Sequence, residues 1–384
     1  MEIAIGDGGR GERSEQAMLV SQLERRNMRR GRLNSRSRAS LWVSVVVAAI
    51  AVAACGSSSS SSSTASGASG TATSASTAAA SSSKPVHIAF LNESLTSYTI
   101  PMTDSMMSTA AAHGATVKMF NANNDPGTQL SQCESAISSG QYQAILDYPV
   151  DGAAAVPCAQ KAIAAHIVFI PTDSPVGANA ASTAVQVPGI KAQVLGAALK
   201  VDSNLSIDVV KQACSHFPAP CTIVQTESIP AFFYCAFKVK YEQPILKSLG
   251  YKIVSTLVIG NFDDEAGMKS AILTQLAKDP NFDVLLSDDD SSVQGAVELK
   301  AEGKLPHTLI VGDGGSSAAI AAIKAGTEFG DTFSVPRSES AQAVMDAITL
   351  VHGGTVSPVT ETQLTLTSHP TVTKANVAGV TPEW

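Results

Sequence analysis

The stretch Val86-His87-Ile88-Ala89-Phe90-Leu91 is a strand-length run of mainly apolar residues, and a helix-length segment follows it at residues 102–113. The same pairing recurs along the chain. Further strands are predicted at residues 117–120, 144–147, 167–170, 222–225, 253–258, 284–286 and 309–311, and helices at 126–139 and 152–164. Apolar, β-branched runs that alternate with helices are typical of strands buried on both faces of a parallel sheet. The sequence therefore predicts an α/β protein built from doubly wound parallel sheets.

The length of this pattern predicts two lobes rather than one. Roughly 300 residues exceed an ordinary single domain, so two α/β lobes that meet near residues 185–189 are expected. Ligands of open parallel sheets bind beyond the carboxyl ends of the strands. Polar residues follow the predicted strands at these points: Asn92-Glu93-Ser94, Asp147-Tyr148, Thr172-Asp173, Thr226-Glu227, residues 287–290 and Asp313.

Several of these segments carry recognisable motifs. Asn121-Ala122-Asn123-Asn124-Asp125-Pro126 leads through Gln129 and Gln132 into the run Tyr-Gln-Ala-Ile-Leu-Asp-Tyr-Pro-Val-Asp at residues 142–151. Residues 285–295 and the strand-end sequence Ile310-Val311-Gly312-Asp313-Gly314-Gly315 add to the pattern. Together, over roughly residues 85–370, they resemble type I periplasmic binding proteins, the ribose-binding-protein-like solute receptors of ABC transporters.

The resemblance implies two Rossmann-like lobes joined by a multi-crossing hinge, with a small ligand bound where the lobes close. It places residues 85–187 plus about 337–360 in the N-terminal lobe. Residues 188–336 plus about 361–375 form the C-terminal lobe. The ligand-binding residues expected on this basis are Asn92, Tyr98, Tyr148, Asp173, Phe233, Asp289, Asp313 and Arg337.

The chain also departs from the family pattern. The family commonly has an arginine at the start of the first helix of the second lobe, but residues 231–237 here carry no charge. Arg337 is the only arginine after Cys55, and a guanidinium binds carboxylates and hydroxyl pairs as lysine cannot. Either Arg337 supplies the missing cation, or the ligand is less polar than a free pentose or hexose. A less polar or aromatic ligand, or a carboxylate, is therefore the alternative to a sugar.

The first 84 residues are expected to be an export and anchoring segment. Residues 1–54 contain an arginine cluster and a 14-residue uncharged run at 41–54, which is typical of a signal peptide whose start is Met28 or Met18. Val52-Ala53-Ala54-Cys55 resembles the lipobox of bacterial lipoproteins, which implies lipid attachment at Cys55. Residues 56–83 contain only Gly, Ser, Thr and Ala, so residues 55–84 are expected to form a flexible tether.

Charge and cysteine content limit the possible partners. Residues 1–55 hold nine arginines and five acids, which leaves 17 basic and 28 acidic residues beyond them, so nucleic acid is excluded as a partner. An oxidising compartment favours two disulfides, Cys133–Cys158 and Cys214–Cys221, with Cys235 left as a buried thiol. The histidines lack ligand spacing and no C-x-x-C occurs, so no metal and no cofactor are expected.

The sequence thus predicts a lipid-anchored, extracytoplasmic solute-binding protein without enzymatic activity. It would act as a monomer that captures a small sugar or sugar-like ligand for an ABC permease. A sensory receptor of the same fold and a secreted sugar-modifying enzyme are the alternatives. No nucleophile elbow, P-loop or dinucleotide fingerprint supports the enzyme.

Overall fold

The computed structural model describes residues 85–196 and 199–384. The predicted signal peptide, the lipidation site Cys55 and the tether lie outside these residues. Within the described ranges, no helix combines the length and the apolar character needed to cross a membrane.

The first sheet has four parallel strands in the order β2-β1-β3-β4. Its strands are β1 (His87–Asn92), β2 (Thr116–Asn121), β3 (Ala144–Asp147) and β4 (Val168–Pro171). Alternate residues of β1 enter different cores: Ile88 and Phe90 pack on one side of the sheet, and Ala89 and Leu91 on the other. Both faces of the sheet are therefore buried, as the continuous apolar run predicts.

Three helices follow the first three strands: α1 (Thr99–Ala112), α2 (Pro126–Ser139) and α3 (Val156–Ala164). The side chain of Asp125 accepts a hydrogen bond from the amide of Thr128 and so caps α2, and Gly140 ends it in a left-handed conformation. Prolines stand in the first turn of α1 and of α3, where a missing N–H costs nothing. The predicted helix at 152–164 begins later, at Val156, because residues 152–155 form turns.

The second sheet has six strands in the order β12-β10-β9-β8-β6-β7, and only β12 runs antiparallel to its neighbour. These strands are β6 (Thr222–Glu227), β7 (Lys252–Val258), β8 (Val284–Leu286), β9 (Leu309–Gly314), β10 (Gly330–Phe333) and β12 (Thr371–Thr373). The helices that cover them are α4 (Leu199–Cys214), α5 (Phe233–Ser248), α6 (Glu265–Lys278), α7 (Asp290–Ala301) and α8 (Ser317–Ala325).

The chain passes between the two sheets three times. It leaves the first sheet after β5 (Val194–Leu195), which is bridged to Thr172 beside β4. It returns after β10 to form α9 (Pro336–Val351), whose residues Ala343, Val344 and Ala347 share a core with β1. It crosses again after β11 (Thr360–Glu361), which pairs with β5, and the short helix α10 (Thr362–Thr365). The two-lobed α/β fold is confirmed; which residues move together as one lobe stays a prediction.

Both predicted disulfides are present. Cys133 and Cys158 join α2 to α3 with a Cα–Cα distance of 5.9 Å. Cys214 and Cys221 close the loop between α4 and β6 with a Cα–Cα distance of 5.6 Å. Cys235 is a buried free thiol, as expected.

Candidate functional site

A cavity of about 560 Å³, partly open to solvent, lies between the two sheets. Its walls include residues just after β1, β3, β4, β8 and β10 and the last two residues of β9. These are the carboxyl ends of parallel strands, where open α/β sheets bind their ligands. The position of the cavity is therefore set by the topology of both sheets.

The lining combines carboxylates with aromatic rings. The carboxylates are Glu93, Asp173, Asp288, Asp289 and Asp313. The aromatic residues are Tyr98, Tyr148, Phe232, Tyr234, Phe262 and Trp384. Within the described part of the chain, no lysine or arginine lines this cavity. Such a surface offers many hydrogen-bond acceptors and flat apolar faces but no fixed positive charge.

Asp173 is the centre of the first-lobe wall. It adopts a left-handed backbone conformation (φ +60°), and its amide donates to Oε1 of Glu339 at 2.6 Å. Tyr98 donates its hydroxyl to Oδ1 of Asp173 at 3.1 Å. Burial raises the pKa of Asp173 to about 6, although hydrogen bonds from Tyr148 and Tyr98 partly stabilise the carboxylate.

The second-lobe wall rests on a buried lysine. Nζ of Lys238 lies 2.6 Å from Oδ2 of Asp313 and 2.6 Å from Oδ2 of Asp202. The hydroxyl of Tyr234 donates to Asp313 at 2.6 Å. Burial raises the pKa of Asp313 to about 7 despite the lysine. Burial disfavours ionisation of Asp202 most strongly, but the charge of Lys238 and hydrogen bonds from Gln363, Lys238 and Tyr234 together lower the pKa of Asp202.

The two neighbouring acids at the end of β8 are held by other donors. Asp289 caps α7 and accepts hydrogen bonds from the amides of Ser291 and Ser292. Burial still raises the pKa of Asp289 to about 6. Asp288 accepts hydrogen bonds from the hydroxyl of Thr226 at 2.9 Å and from the amide of Ser228 at 2.8 Å. Part of the hydrogen-bonding capacity of Asp288 is therefore used by the end of β6 and the loop after it, and part of that of Asp289 by the start of α7.

Trp384 completes the cavity from a segment remote in sequence. Its indole N–H donates to the carbonyl of Gly314 at 3.1 Å, and its ring meets that of Tyr98 edge to face with centroids 5.2 Å apart. Gly314 tolerates this approach because it has no side chain; a Cβ there would lie 2.5 Å from the indole. Trp384 therefore links the second sheet to the start of α1.

Five of the eight predicted ligand-binding residues line the cavity: Tyr98, Tyr148, Asp173, Asp289 and Asp313. The other three do not. The amide nitrogen of Asn92 donates instead to the carbonyl of Ser94. Phe233 packs edge to face on Phe232, and it is Phe232 and Tyr234 that face the cavity, because successive helix residues point in different directions.

Arg337 requires a correction. It was expected to supply a cation to the cleft, but its side chain is exposed and Nε donates to the carbonyl of Glu383 at 2.8 Å. It stands in the first turn of α9, and its side chain lies outside the cavity lining. The cleft therefore has no guanidinium from this residue.

The residues that line the cavity but are not among the ligand-binding residues predicted from the sequence include Glu93, Phe262, Asp288 and Trp384. Glu93 and Asp288 belong to the strand-end segments 92–94 and 287–290; in the first segment Glu93 rather than Asn92 lines the cavity, and in the second Asp288 does so beside the predicted Asp289. Phe262 and Trp384 follow no apolar strand pattern, and no local signal identifies them.

One cluster in the described residues has the composition of a cation site. Asp290, Glu328 and Asp331 are all buried and present ligand atoms within 4.8 Å of one another. Carboxylate oxygens of this kind are ligands for hard cations such as Ca²⁺. Burial and the neighbouring acids Asp290 and Glu328 hold the pKa of Asp331 well above its usual range.

Residues 88–355 match the family described as periplasmic binding protein domain. No curated protein matches the chain. A solute-binding protein of an ABC transporter from Bacillus halodurans, solved with myo-inositol, is 21% identical with a TM-score of 0.65 over 76% of this chain and 96% of that one. A counterpart from Actinobacillus succinogenes, solved with D-allose, is 20% identical with a TM-score of 0.65 over 77% of this chain and 100% of that one. One from Mycobacterium smegmatis, solved with glycerol, is 20% identical with a TM-score of 0.64 over 77% and 96% of the respective chains.

Proposed function

Because the chain belongs to the periplasmic binding protein domain family, we propose that it captures a small sugar or sugar-like solute outside the cytoplasm for import by an ABC transporter. The observation that carries this proposal is the cavity between the two sheets, to which both lobes contribute hydrogen-bonding and aromatic side chains. A ligand held from both sides stabilises the closed arrangement of the lobes, so binding and closure are coupled.

Carboxylates and rings are the groups that a hydroxylated ring needs. Asp173, Asp289 and Asp313 offer acceptors for hydroxyl groups, and Tyr98, Tyr148 and Trp384 offer flat faces for the C–H side of a sugar. The structures solved with myo-inositol, D-allose and glycerol share the fold and contain polyhydroxylated ligands. They support a ligand of this class for the present chain.

The second part of the proposal concerns the membrane. Cys55 would carry a lipid after removal of residues 1–54, and residues 55–84 would let the binding domain reach a permease. A Gly/Ser-type coil of this length spans about 30 Å, from roughly 5–6 Å times the square root of the residue number. A Cys55→Ser variant should be released from membranes, whereas the wild-type protein should remain with them after high-salt washing.

The direct test of ligand capture is thermal melting of the purified binding domain with a panel of sugars, polyols, amino acids and aromatic acids. We expect a saccharide or polyol to raise the melting midpoint in a saturable way and to make the protein more compact in small-angle scattering. Stabilisation by an amino acid or an aromatic acid, with none by any saccharide or polyol, would overturn the assignment. In cells, deletion of the gene should abolish uptake of the same ligand.

A further inference from the structure

The carboxylates that line the cavity differ in how far cations and hydrogen-bond donors compensate their charge. Asp313 is paired with Lys238, Asp289 caps α7 and Asp288 receives three hydrogen bonds from Thr226 and Ser228. Neither Glu93 nor Asp173 forms an ion pair with any residue that the structure describes, although Asp173 accepts a hydrogen bond from Tyr98. Both are only 2% exposed. Two carboxylates thus face the same cavity with no cation beside them.

Glu93 has a free oxygen at this wall. Oε2 of Glu93 is buried and has no hydrogen-bond partner within the described chain. Unpartnered buried carboxylate oxygens are rare, because removing a charged acceptor from water is costly unless a donor replaces the water. Glu93 lines the cavity, so a ligand bound there is in a position to supply that donor in place of water.

The negative charge extends behind the wall. Glu339 in α9 is fully buried and accepts the amide of Asp173, and its second oxygen has no partner in the described residues. After burial, the charge of Asp173 is the main cause that raises the pKa of Glu93 and of Glu339. Burial without a cation holds the pKa values of Glu93 and Glu339 well above their usual range and raises that of Asp173 to about 6.

Aromatic rings line the same cavity as these acids. Tyr98 and Tyr148 both hydrogen-bond to Asp173, and Trp384 packs on Tyr98. The faces of such rings attract a cation, most strongly when the site is shielded from water. Carboxylates and aromatic rings in one cavity suit an ammonium group, whose three N–H donors would fill the free acceptors.

We propose that the ligand carries a protonated primary amine, and that Glu93 and Asp173, framed by Tyr98, Tyr148 and Trp384, bind this ammonium group. The inference rests on the proposed capture of a sugar-like solute, and the substrate class is therefore an amino sugar or amino polyol. A carboxylate ligand is disfavoured by the same wall, because it would face like charges and find no lysine or arginine there among the described residues.

Calorimetry at pH 7 with matched sugars tests the proposal. The probes are glucosamine, galactosamine and mannosamine, each beside its parent hexose and its N-acetyl derivative, together with ethanolamine. The parent hexose is nearly equal in size to the amine and lacks the charge, and the N-acetyl form removes the charge but adds an acetyl group. We expect one hexosamine to bind at least about tenfold more tightly than both neutral forms, which corresponds to ~1.4 kcal/mol. A Glu93→Gln variant should reduce this preference to a few-fold, and the exposed Glu134→Gln variant should leave it unchanged.

Each outcome has a distinct meaning. If a parent hexose or its N-acetyl form binds as tightly as the amine, the ammonium site is wrong and sugar capture stands. If ethanolamine binds and no saccharide does, the cation site stands and sugar capture falls. If none of these probes binds, the ammonium site is overturned, and the melting panel of sugars and polyols decides sugar capture. A Glu93→Gln variant that folds, as judged by its melting curve, and keeps the full preference for the amine would also exclude Glu93 from the site.

Discussion

Ser97 and Asp263 join the two lobes across the rim of the cavity: the amide of Ser97 donates to Oδ2 of Asp263 at 3.0 Å, and its hydroxyl donates to Oδ1 at 2.7 Å. Ser97 lies between β1 and α1, and Asp263 lies between β7 and α6. Both residues are exposed, so water competes for these bonds. The pair therefore contributes only modestly to holding the lobes in this arrangement.

A Ser97→Ala variant should weaken ligand binding by a few-fold. It removes one hydrogen bond to a charged acceptor, worth on the order of 1 kcal/mol at an exposed site, and only the closed form contains that bond. Ligand affinity by calorimetry and lobe closure by small-angle scattering measure the effect. Ser131→Ala, which loses only a bond to the carbonyl of Gly127 within α2, is the matched control. Equal affinities for the two variants would contradict a closing role for Ser97.

Replacing Lys238 with methionine should destabilise the protein strongly. Lys238 is fully buried and is the cation beside Asp202, Asp313 and Glu242. Removing one partner of a buried ion pair typically costs about 3–5 kcal/mol, because the remaining charge is left uncompensated. Chemical denaturation measures this loss.

The exposed neighbour Lys240→Met is the control for Lys238 and should change the free energy of unfolding by less than about 0.5 kcal/mol. Adding Asp202→Asn to the Lys238→Met variant should recover part of the lost stability. A double variant less stable than Lys238→Met alone would show that the charges are not coupled as described.

The contribution of Asp147 to the free energy of unfolding should fall as pH rises. Asp147 is 1% exposed, both of its carboxylate oxygens lack partners among the described residues, and burial raises its pKa to about 8. The folded protein therefore holds a proton at Asp147 that the unfolded chain releases near pH 4, and this contribution to stability is lost as pH rises from about 4 to 8.

Asp147→Asn should remove that dependence. Relative to wild type, the variant should gain stability steadily between about pH 4 and 8, by at most ~5 kcal/mol at one pKa unit per 1.36 kcal/mol. Denaturation curves over this pH range measure the difference, and Asp104→Asn, an exposed site in α1, should run parallel to wild type. A parallel curve for Asp147→Asn would mean that Asp147 is ionised in the folded protein.

Trp384 should report ligand binding through its fluorescence. It is the only tryptophan in residues 55–384, it lines the cavity, and its indole donates to Gly314. A ligand that contacts the ring or closes the lobes changes its surroundings, so the emission should shift saturably with the same Kd as calorimetry. Trp384→Phe should keep the fold and weaken binding several-fold. An unchanged emission spectrum at ligand saturation would place the ligand away from Trp384.

Local pattern was sufficient for most strands. The predicted strands 144–147 and 284–286 coincide with β3 and β8, because short β-branched runs between helices have few other structures open to them. β10 was missed, since Gly-Asp-Thr-Phe at Gly330–Phe333 lacks such a run and its polar side chains are nevertheless buried. Its pairing with β9 and β12, rather than its composition, makes it a strand.

The site could be predicted only where topology fixes position. Asp173, Tyr148 and Asp313 stand directly at strand ends, and the rule for open parallel sheets brings them together. Arg337 was predicted only from the ability of a guanidinium to bind hydroxyl pairs. That property does not determine the direction in which its side chain points from the first turn of α9. Trp384 and Lys238 reach their partners through contacts between segments far apart in sequence, which no local pattern encodes.

Helix α9, which packs on one face of the first sheet, is synthesised long after the strands of that sheet. Ala343, Val344 and Ala347 of α9 cover the same face as Ile88 and Phe90, yet β4 ends at Pro171 and α9 begins only at Pro336. Until then, α1 packs in this core through Met102 and Met106. At synthesis rates of roughly 5–20 residues per second, a nascent chain carries a partly covered apolar sheet face for on the order of ten seconds. Any truncation before residue 336 leaves the part of that face that α9 covers permanently available for aggregation.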